Sequence, residues 1–274
     1  MSRADDDDTD DRPRRRRPRD DEYDADDDGP RRGGASGGGG GGTGKVILVV
    51  VVVGVVGLVC CGGIAAALLL PAVAKVREAA ARAADTNNYR QAAIAFHSHV
   101  DGKAKLPAAD GDLSWRVALL PYLEQAPLFQ QFDQTQGWDG PRNRPLADTR
   151  VPPYLSSLDP PEFTQTRMRV FTGPDTLFPP GERPVRFPTG ITDGTSNTLL
   201  AVEATESVPW PQPRELAYTK GGPLPALGHP DRPAGFLVMM ADGSIRFVNK
   251  NANLNENAIR SAITPTANDP PPDF

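Results

Sequence analysis

The sequence predicts an α+β fold in which one transmembrane helix runs on into a second helical stretch, followed by the strands of an antiparallel sheet. Three observations predict it. An uncharged apolar run opens at Val46 and closes at Ala74, an Ala-rich helical pattern follows it directly, and short apolar segments gather toward the C-terminus, two of them joined by Asp242-Gly243. The 274 residues therefore divide into a charged tail with a Gly-rich linker (1–44), a membrane helix (45–74) and one folded domain (75–274).

The first 32 residues alternate acidic runs with the basic run Arg14 to Arg17 and hold a single aromatic, Tyr23. Such a segment buries too little to offset its chain entropy and is expected to be disordered. Residues 33–44, nearly all Gly, read as a flexible tether. The formal net charge of -5 excludes a strongly basic nucleic-acid domain, so no nucleic-acid partner is expected. The two cysteines, Cys60 and Cys61, are adjacent inside the apolar run, which suits neither an ordinary disulfide nor a zinc site with separated ligand pairs.

From Val46 to Ala74 the chain carries no charge and is bounded by Lys45 and Lys75. As helix this run is about 44 Å long against a hydrocarbon core of about 30 Å, enough for one tilted span of the lipid bilayer. A cleaved signal peptide would have a shorter apolar core and would lie at the extreme N-terminus. The Arg supply of the tail favours a cytoplasmic N-terminus at the inner membrane and an extracytoplasmic C-terminal domain. Pro71 is expected to bend or interrupt the helix. Beyond it, helical spacing resumes to about His99, with Val73, Val76, Ala80 and Ala84 near one face.

The segment SWRVALLPYLEQ (114–125) reads as a short helix capped by Ser114 and bent or ended by Pro121. Strands are expected at MRVFT (168–172), NTLLAVEA (197–204), FLVMMA (236–241) and SIRFVN (244–249), the last two forming a hairpin about Asp242-Gly243. A final helix capped by Asn253 or Asn255 should run to Ile263 and end before Pro265.

Four blocks in order, LLLPAVAKVREAAARAADTNN, SWRVALLPYLEQ with WDGPRN, ITDGTSNTLLAVEATESVPW, and GHP followed by FLVMMADGSIRFV, resemble a large bacterial family abundant in planctomycetes. That family is labelled a domain of unknown function, is classed with solute-binding-like proteins, and often begins like a type IV pilin. The resemblance implies a pilin-like N-terminal helix, half in the membrane, packed on an antiparallel sheet outside the cytoplasm. It brings no enzymatic activity. The chain departs from the pattern at Gly44-Lys45-Val46-Ile47-Leu48-Val49, which lacks the pilin processing site and the acid that follows it. Twelve residues separate His229 from Asp242-Gly243, a longer interval than in the family's His and Asp-Gly motif.

The candidate ligand or motif residues are Asp193, Thr195, Ser196, Asn197, His229, Asp242 and Gly243. The run Asp193 to Asn197 offers oxygen donors suited to a hard cation or a sugar, but the same residues are those a turn requires, and the turn is the favoured reading. His229 could pair with Asp242, or sit as a structural donor in a turn. On a helix, His97 and His99 project about 200° apart, which does not make a metal clamp. Glu203 and Glu206 read as exposed acids. Trp115, Trp138 and Trp210 could stack on carbohydrate, although burial is the default for such residues. No nucleophile elbow, phosphate loop, dinucleotide fingerprint or HExxH motif occurs, so no catalysis, cofactor or metal is expected.

The expected role is that of a single-pass envelope protein serving structure or protein contact, with envelope proteins or further copies of itself as partners. The alternative is a membrane-tethered solute or carbohydrate-binding module, with an apolar cleft rimmed by tryptophan and acids such as Asp193 or Glu203. An enzyme would require His229 to meet Asp242 or Glu203 in a pocket.

Overall fold

The computed structural model describes residues 43–181, 185–250, 255–266 and 272. Residues 1–42 of the tail and linker, and Asn253, lie outside these residues, while Thr43 and Gly44 of the expected linker open a helix. The chain forms two compact units, one ending at Gly62 and one beginning at Gly63. The fold is α+β, with an antiparallel four-stranded sheet and, among the described residues, one helix long and apolar enough to span a membrane.

Helix α1 runs from Thr43 to Lys103 and contributes to both units. Its 20 residues Gly44–Gly63, charged only at Lys45, have a mean hydropathy of 3.0, and none of the apolar window is buried. Position 71 does not interrupt α1, contrary to the expectation for proline. A proline removes one backbone donor, and a long helix tolerates that loss when the neighbouring turns hold.

In the second unit α1 is exposed over residues 72–80, so the face expected at Val73 and Val76 is not buried; these residues are 46% and 68% exposed. The buried face starts further on, at Asp85, and continues through Tyr89, Ala92, Ala93, Phe96 and Val100 at helical spacing. Alanines lie on every side of this helix, so the sequence pattern carries little contrast between faces and the expected face is displaced from the buried one. Burying Phe96 by itself contributes about 1.5–3 kcal/mol. The helix closes at Ala104, which has φ 57° and whose N–H bonds the Val100 carbonyl at 2.6 Å.

Helix α2 (Trp115–Leu119) starts as expected, with the Ser114 side chain accepting from the Arg116 N–H. A 3-10 turn over Leu120–Leu123 carries Pro121 in its first turn, and a short helix α3 (Ala126–Phe129) follows. The proline-rich chain beyond includes 3-10 turns at Arg144–Asp148 and Pro152–Tyr154, each with proline in its first turn. Asn143, fully buried, organises the 133–137 loop. Its Oδ1 accepts from Asp133 N–H at 2.8 Å, and its Nδ2 donates to the carbonyls of Asp133, Gln136 and Gly137 at 2.9, 3.1 and 3.0 Å.

Strand β1 covers Gln165–Arg169 and β2 covers Phe171–Thr172, so the single strand expected over 168–172 is split at Val170. The split has a side-chain cause: the Val170 N–H donates to Glu215 Oε2 at 2.9 Å, while the Val170 carbonyl accepts from Leu216 N–H at 3.0 Å. The remaining strands are β3 (Leu199–Pro209), β4 (Leu216–Ala217), β5 (Gly235–Met240) and β6 (Ile245–Asn249). The main sheet has the order β1-β3-β5-β6 with antiparallel neighbours, and β2 pairs with β4 in parallel.

Both faces of this sheet are covered, and β5 is buried at all six positions. That explains its unbroken apolar run, which alternation between core and solvent would have interrupted. Leu237 and Met239 join the core under α1 with Phe96, Leu200 and Trp115. Phe236, Val238 and Met240 face the other core, closed by helix α4 (Glu256–Ile263) through Ile259, Ala262 and Ile263. Asn255 caps α4, its side chain accepting from Asn257 N–H and Ala258 N–H.

The β5–β6 hairpin turns through Ala241 and Asp242, with Gly243 as the left-handed residue at φ 83°. Its Met240 N–H bonds the Ser244 carbonyl at 2.8 Å, and its Gly243 N–H bonds the Met240 carbonyl at 2.9 Å. This is the three-residue loop with a glycine bulge rather than a two-residue turn. A Cβ on Gly243 would also sit 3.2 Å from Nε2 of His97 on α1. Gly243→Ala is expected to destabilise the protein by about 1–2 kcal/mol, from the positive φ alone, which chemical denaturation of the two proteins will measure.

Candidate functional site

The most concentrated chemistry in the described chain lies between α1, β3 and the segment leading into β5. Asp85 faces inward from the first buried turn of α1 and is 2% exposed. Glu203 comes from the middle of β3, also 2% exposed, which corrects its reading as a surface acid. Arg232, 1% exposed, bridges them. Its Nη1 donates to both carboxylate oxygens of Glu203, at 2.9 and 3.0 Å, and its Nη2 donates to Asp85 Oδ2.

The remaining valences are largely filled. Asp85 Oδ1 accepts from Ser157 N–H at 2.6 Å, its Oδ2 accepts from the Ser156 hydroxyl at 3.0 Å, and Glu203 Oε2 accepts from Leu237 N–H at 3.2 Å. Burial pushes the Glu203 carboxyl up from its ordinary range, and the Arg232 guanidinium and the Leu237 N–H pull it part of the way back. Burial works against the Arg232 charge, but Glu203 and Asp85 outweigh it and hold the guanidinium protonated. The phenol of Tyr89 is raised well above its usual value by burial, helped by the Glu203 and Asp85 charges.

His229 lies three residues from Arg232 and is 3% exposed. Its Nδ1 accepts from Asp231 N–H at 3.0 Å, which places the ring proton on Nε2, 3.0 Å from Asp159 Oδ1. Arg167 Nη2 approaches the same Asp159 oxygen at 3.3 Å. Burial raises the Asp159 carboxyl, but the His229 bond and the Arg167 charge more than offset it and hold it below the ordinary carboxylate range. Both imidazole nitrogens are thus engaged within the protein, an arrangement that fixes the loop rather than presenting a base to a substrate.

Asp242 is the partner the sequence suggested for His229, and the structure places it elsewhere. Its Oδ1 accepts from Ser244 N–H at 2.8 Å and from the Ser244 hydroxyl at 2.6 Å, inside its own hairpin. The Asp193 to Asn197 run is a turn: Asn197 Nδ2 donates to the Asp193 carbonyl at 2.9 Å, Asn197 N–H donates to the Gly194 carbonyl at 3.0 Å, and Gly194 takes φ 93°. This turn meets the hairpin, because Asp242 N–H donates to the Thr195 carbonyl at 3.0 Å and Arg246 Nη2 to the Ser196 carbonyl at 2.8 Å. The structure therefore joins Asp193, Thr195, Ser196, Asn197, Asp242 and Gly243 in one turn-on-turn contact, while His229 belongs to the Asp159 cluster.

A second buried ion pair lies beside β1, whose Met168 is the register partner of Glu203. Arg116, fully buried, bonds Glu215 Oε1 at 2.8 Å, Ser114 Oγ at 2.6 Å and the Met168 carbonyl. Trp115 Nε1 donates to the same Glu215 oxygen at 3.0 Å. Trp115 and Trp210 are both fully buried, and Trp138 is half-buried with the Arg144 guanidinium 5.1 Å from its ring centre. His97 packs edge-on to Phe187 and His99 edge-on to Tyr122, so the pair diverges. No group of three metal-ligating side chains occurs among the described residues.

Sequence reasoning missed Asp85, Arg232, Asp159, Arg116 and Glu215. One local signal existed for Asp85, since it falls at helical spacing with Tyr89 and Phe96; the others find their partners only through tertiary pairing.

Residues 74–190 match the model of a family in a bacterial solute-binding class, described as a protein of unknown function (DUF1559). The match includes the α1 segment from residue 74 and the SWRVALLPYLEQ and WDGPRN blocks, and stops before the turn at Asp193. Neither the curated proteins nor the solved structures contain a match to the chain.

Arg232→Met is expected to leave two carboxylates buried without their cation and to cost roughly 3–5 kcal/mol at neutral pH. Without that cation burial holds the Glu203 carboxyl further above its unfolded value. The folded variant then binds protons more tightly than the unfolded chain, so stability returns as pH falls and is lost as pH rises through the raised values. Urea denaturation of the variant at a series of pH values, against the parent protein, will show this slope.

Proposed function

We propose that the chain is a single-pass membrane-anchored envelope protein, with its N-terminus in the cytoplasm and its α+β domain outside, in a structural or protein-contact role without catalysis. The observation that supports the anchor is the Gly44–Gly63 helix, whose side chains have no interior to enter and whose length suits a bilayer. The Arg supply of the preceding tail supports the orientation. The contact role draws on the polar motif residues, whose hydrogen bonds go into turns and loop fixation rather than into an open constellation.

The pilin-like description is part of this proposal: a long N-terminal helix is exposed along its first turns, and its last turns pack on an antiparallel sheet. The carbohydrate-binding alternative loses its most direct support, because two of its three tryptophans are in the core.

Protease digestion of spheroplasts carrying epitope tags at residue 2 and at the C-terminus tests the proposal. The expected result is loss of the C-terminal tag and protection of the N-terminal one. Protection of both tags would place the domain in the cytoplasm and overturn it.

A further inference from the structure

α1 ends at Lys103, and the chain turns at Ala104 into residues 105–110. Between this turn, Ala118 of α2 and residues 177–179 lies an open cleft of about 780 Å³. That volume falls in the range of small-molecule sites, about 300–1,000 Å³. The lining includes Leu106, Ala109, Leu177 and Phe178, all belonging to the main core, so the cleft has a fixed apolar floor.

Lys103 and Lys105 also line it, both exposed and neither in an ion pair among the described residues. The acid in the same lining, Asp110, directs its Oδ2 to the Gly181 N–H at 2.6 Å. The lysine field reaches the cleft wall: after burial, the Lys103 and Lys105 charges hold the imidazole of His99 below its ordinary range, against the pull of a bond to the Ala118 backbone. An apolar floor beside two cations with no ion-pair partner among the described residues is complementary to a molecule with an apolar body and an anionic head.

We propose that this cleft binds a small organic anion, a carboxylate whose head pairs with Lys103 and Lys105 and whose apolar body covers Leu106 and Phe178. This goes beyond the anchoring and contact role and does not depend on which side of the membrane the domain occupies.

The test uses the full chain in phosphatidylcholine nanodiscs, with saturation-transfer NMR of benzoate and of its uncharged counterpart benzyl alcohol, and with empty nanodiscs subtracted. Benzoate is expected to bind more tightly than benzyl alcohol. The exposed double substitution Lys103→Gln with Lys105→Gln is expected to weaken benzoate about fivefold and to leave benzyl alcohol unchanged. Ala108→Trp, at an exposed lining position, is expected to remove both signals. Absence of benzoate binding, equal binding of the two probes, unchanged benzoate affinity in the lysine variant, or probe binding that survives Ala108→Trp would each overturn the proposal.

Discussion

The domain depends on one buried guanidinium. Arg232 is held by Asp85, 147 positions earlier in the chain, and by Glu203, 29 positions earlier, so a single side chain fixes helix α1 against strand β3 and the approach to β5. Removing three charges from water is costly unless nearly every lone pair and proton is satisfied. Here the Ser156 hydroxyl, Ser157 N–H and Leu237 N–H supply the additional bonds. A hydrophobic contact between an Ala-rich helix and a sheet has many near-equivalent registers, whereas this hydrogen-bond set has one. The alanines at 92, 93 and 95 then allow close approach, and Phe96 enters the core.

The Arg116–Glu215 pair acts in the same way where β1 gives way to β2. Glu215 takes the backbone N–H of Val170, where β1 gives way to β2, and Arg116 takes the carbonyl of Met168. The two interactions allow one chain to leave the four-stranded sheet and enter the two-stranded one without burying unsatisfied backbone groups. Tyr154 adds a bond from its hydroxyl to the Arg116 carbonyl at 2.7 Å, joining the proline-rich segment to α2. Around these points the irregular chain is held by local devices such as Asn143, which explains how so many prolines fit a packed domain.

What could be read from the sequence was local. Ser114 and Asn255 act as caps because a cap needs only the next few backbone N–H groups, and the Asp242-Gly243 hairpin and the turn at Asp193 need only their own residues. The apolar run at 236–241 also announced a strand, and the structure adds that both of its faces are covered. The helix face was misplaced because alanine contributes little contrast between sides, so Val73 and Val76 drew attention away from Asp85. Glu203 looked like a solvent acid in a strand, since nothing near it in sequence reveals the Arg232 that makes its burial affordable. For His229 the sequence offers Asp242 as a possible partner beside a structural role in a turn, whereas folding brings it to Asp159, 70 positions away.

Amide hydrogen exchange of the full chain in nanodiscs tests most directly whether α1 and the sheet form one unit through Arg232. The buried amides of α1 from Tyr89 to Val100 should open with the same free energy as those of β3 and β5, because breaking the ion cluster exposes both together. Helix amides that exchange at a much lower free energy, while β3 and β5 remain protected, would contradict this and reduce the cluster to an incidental contact.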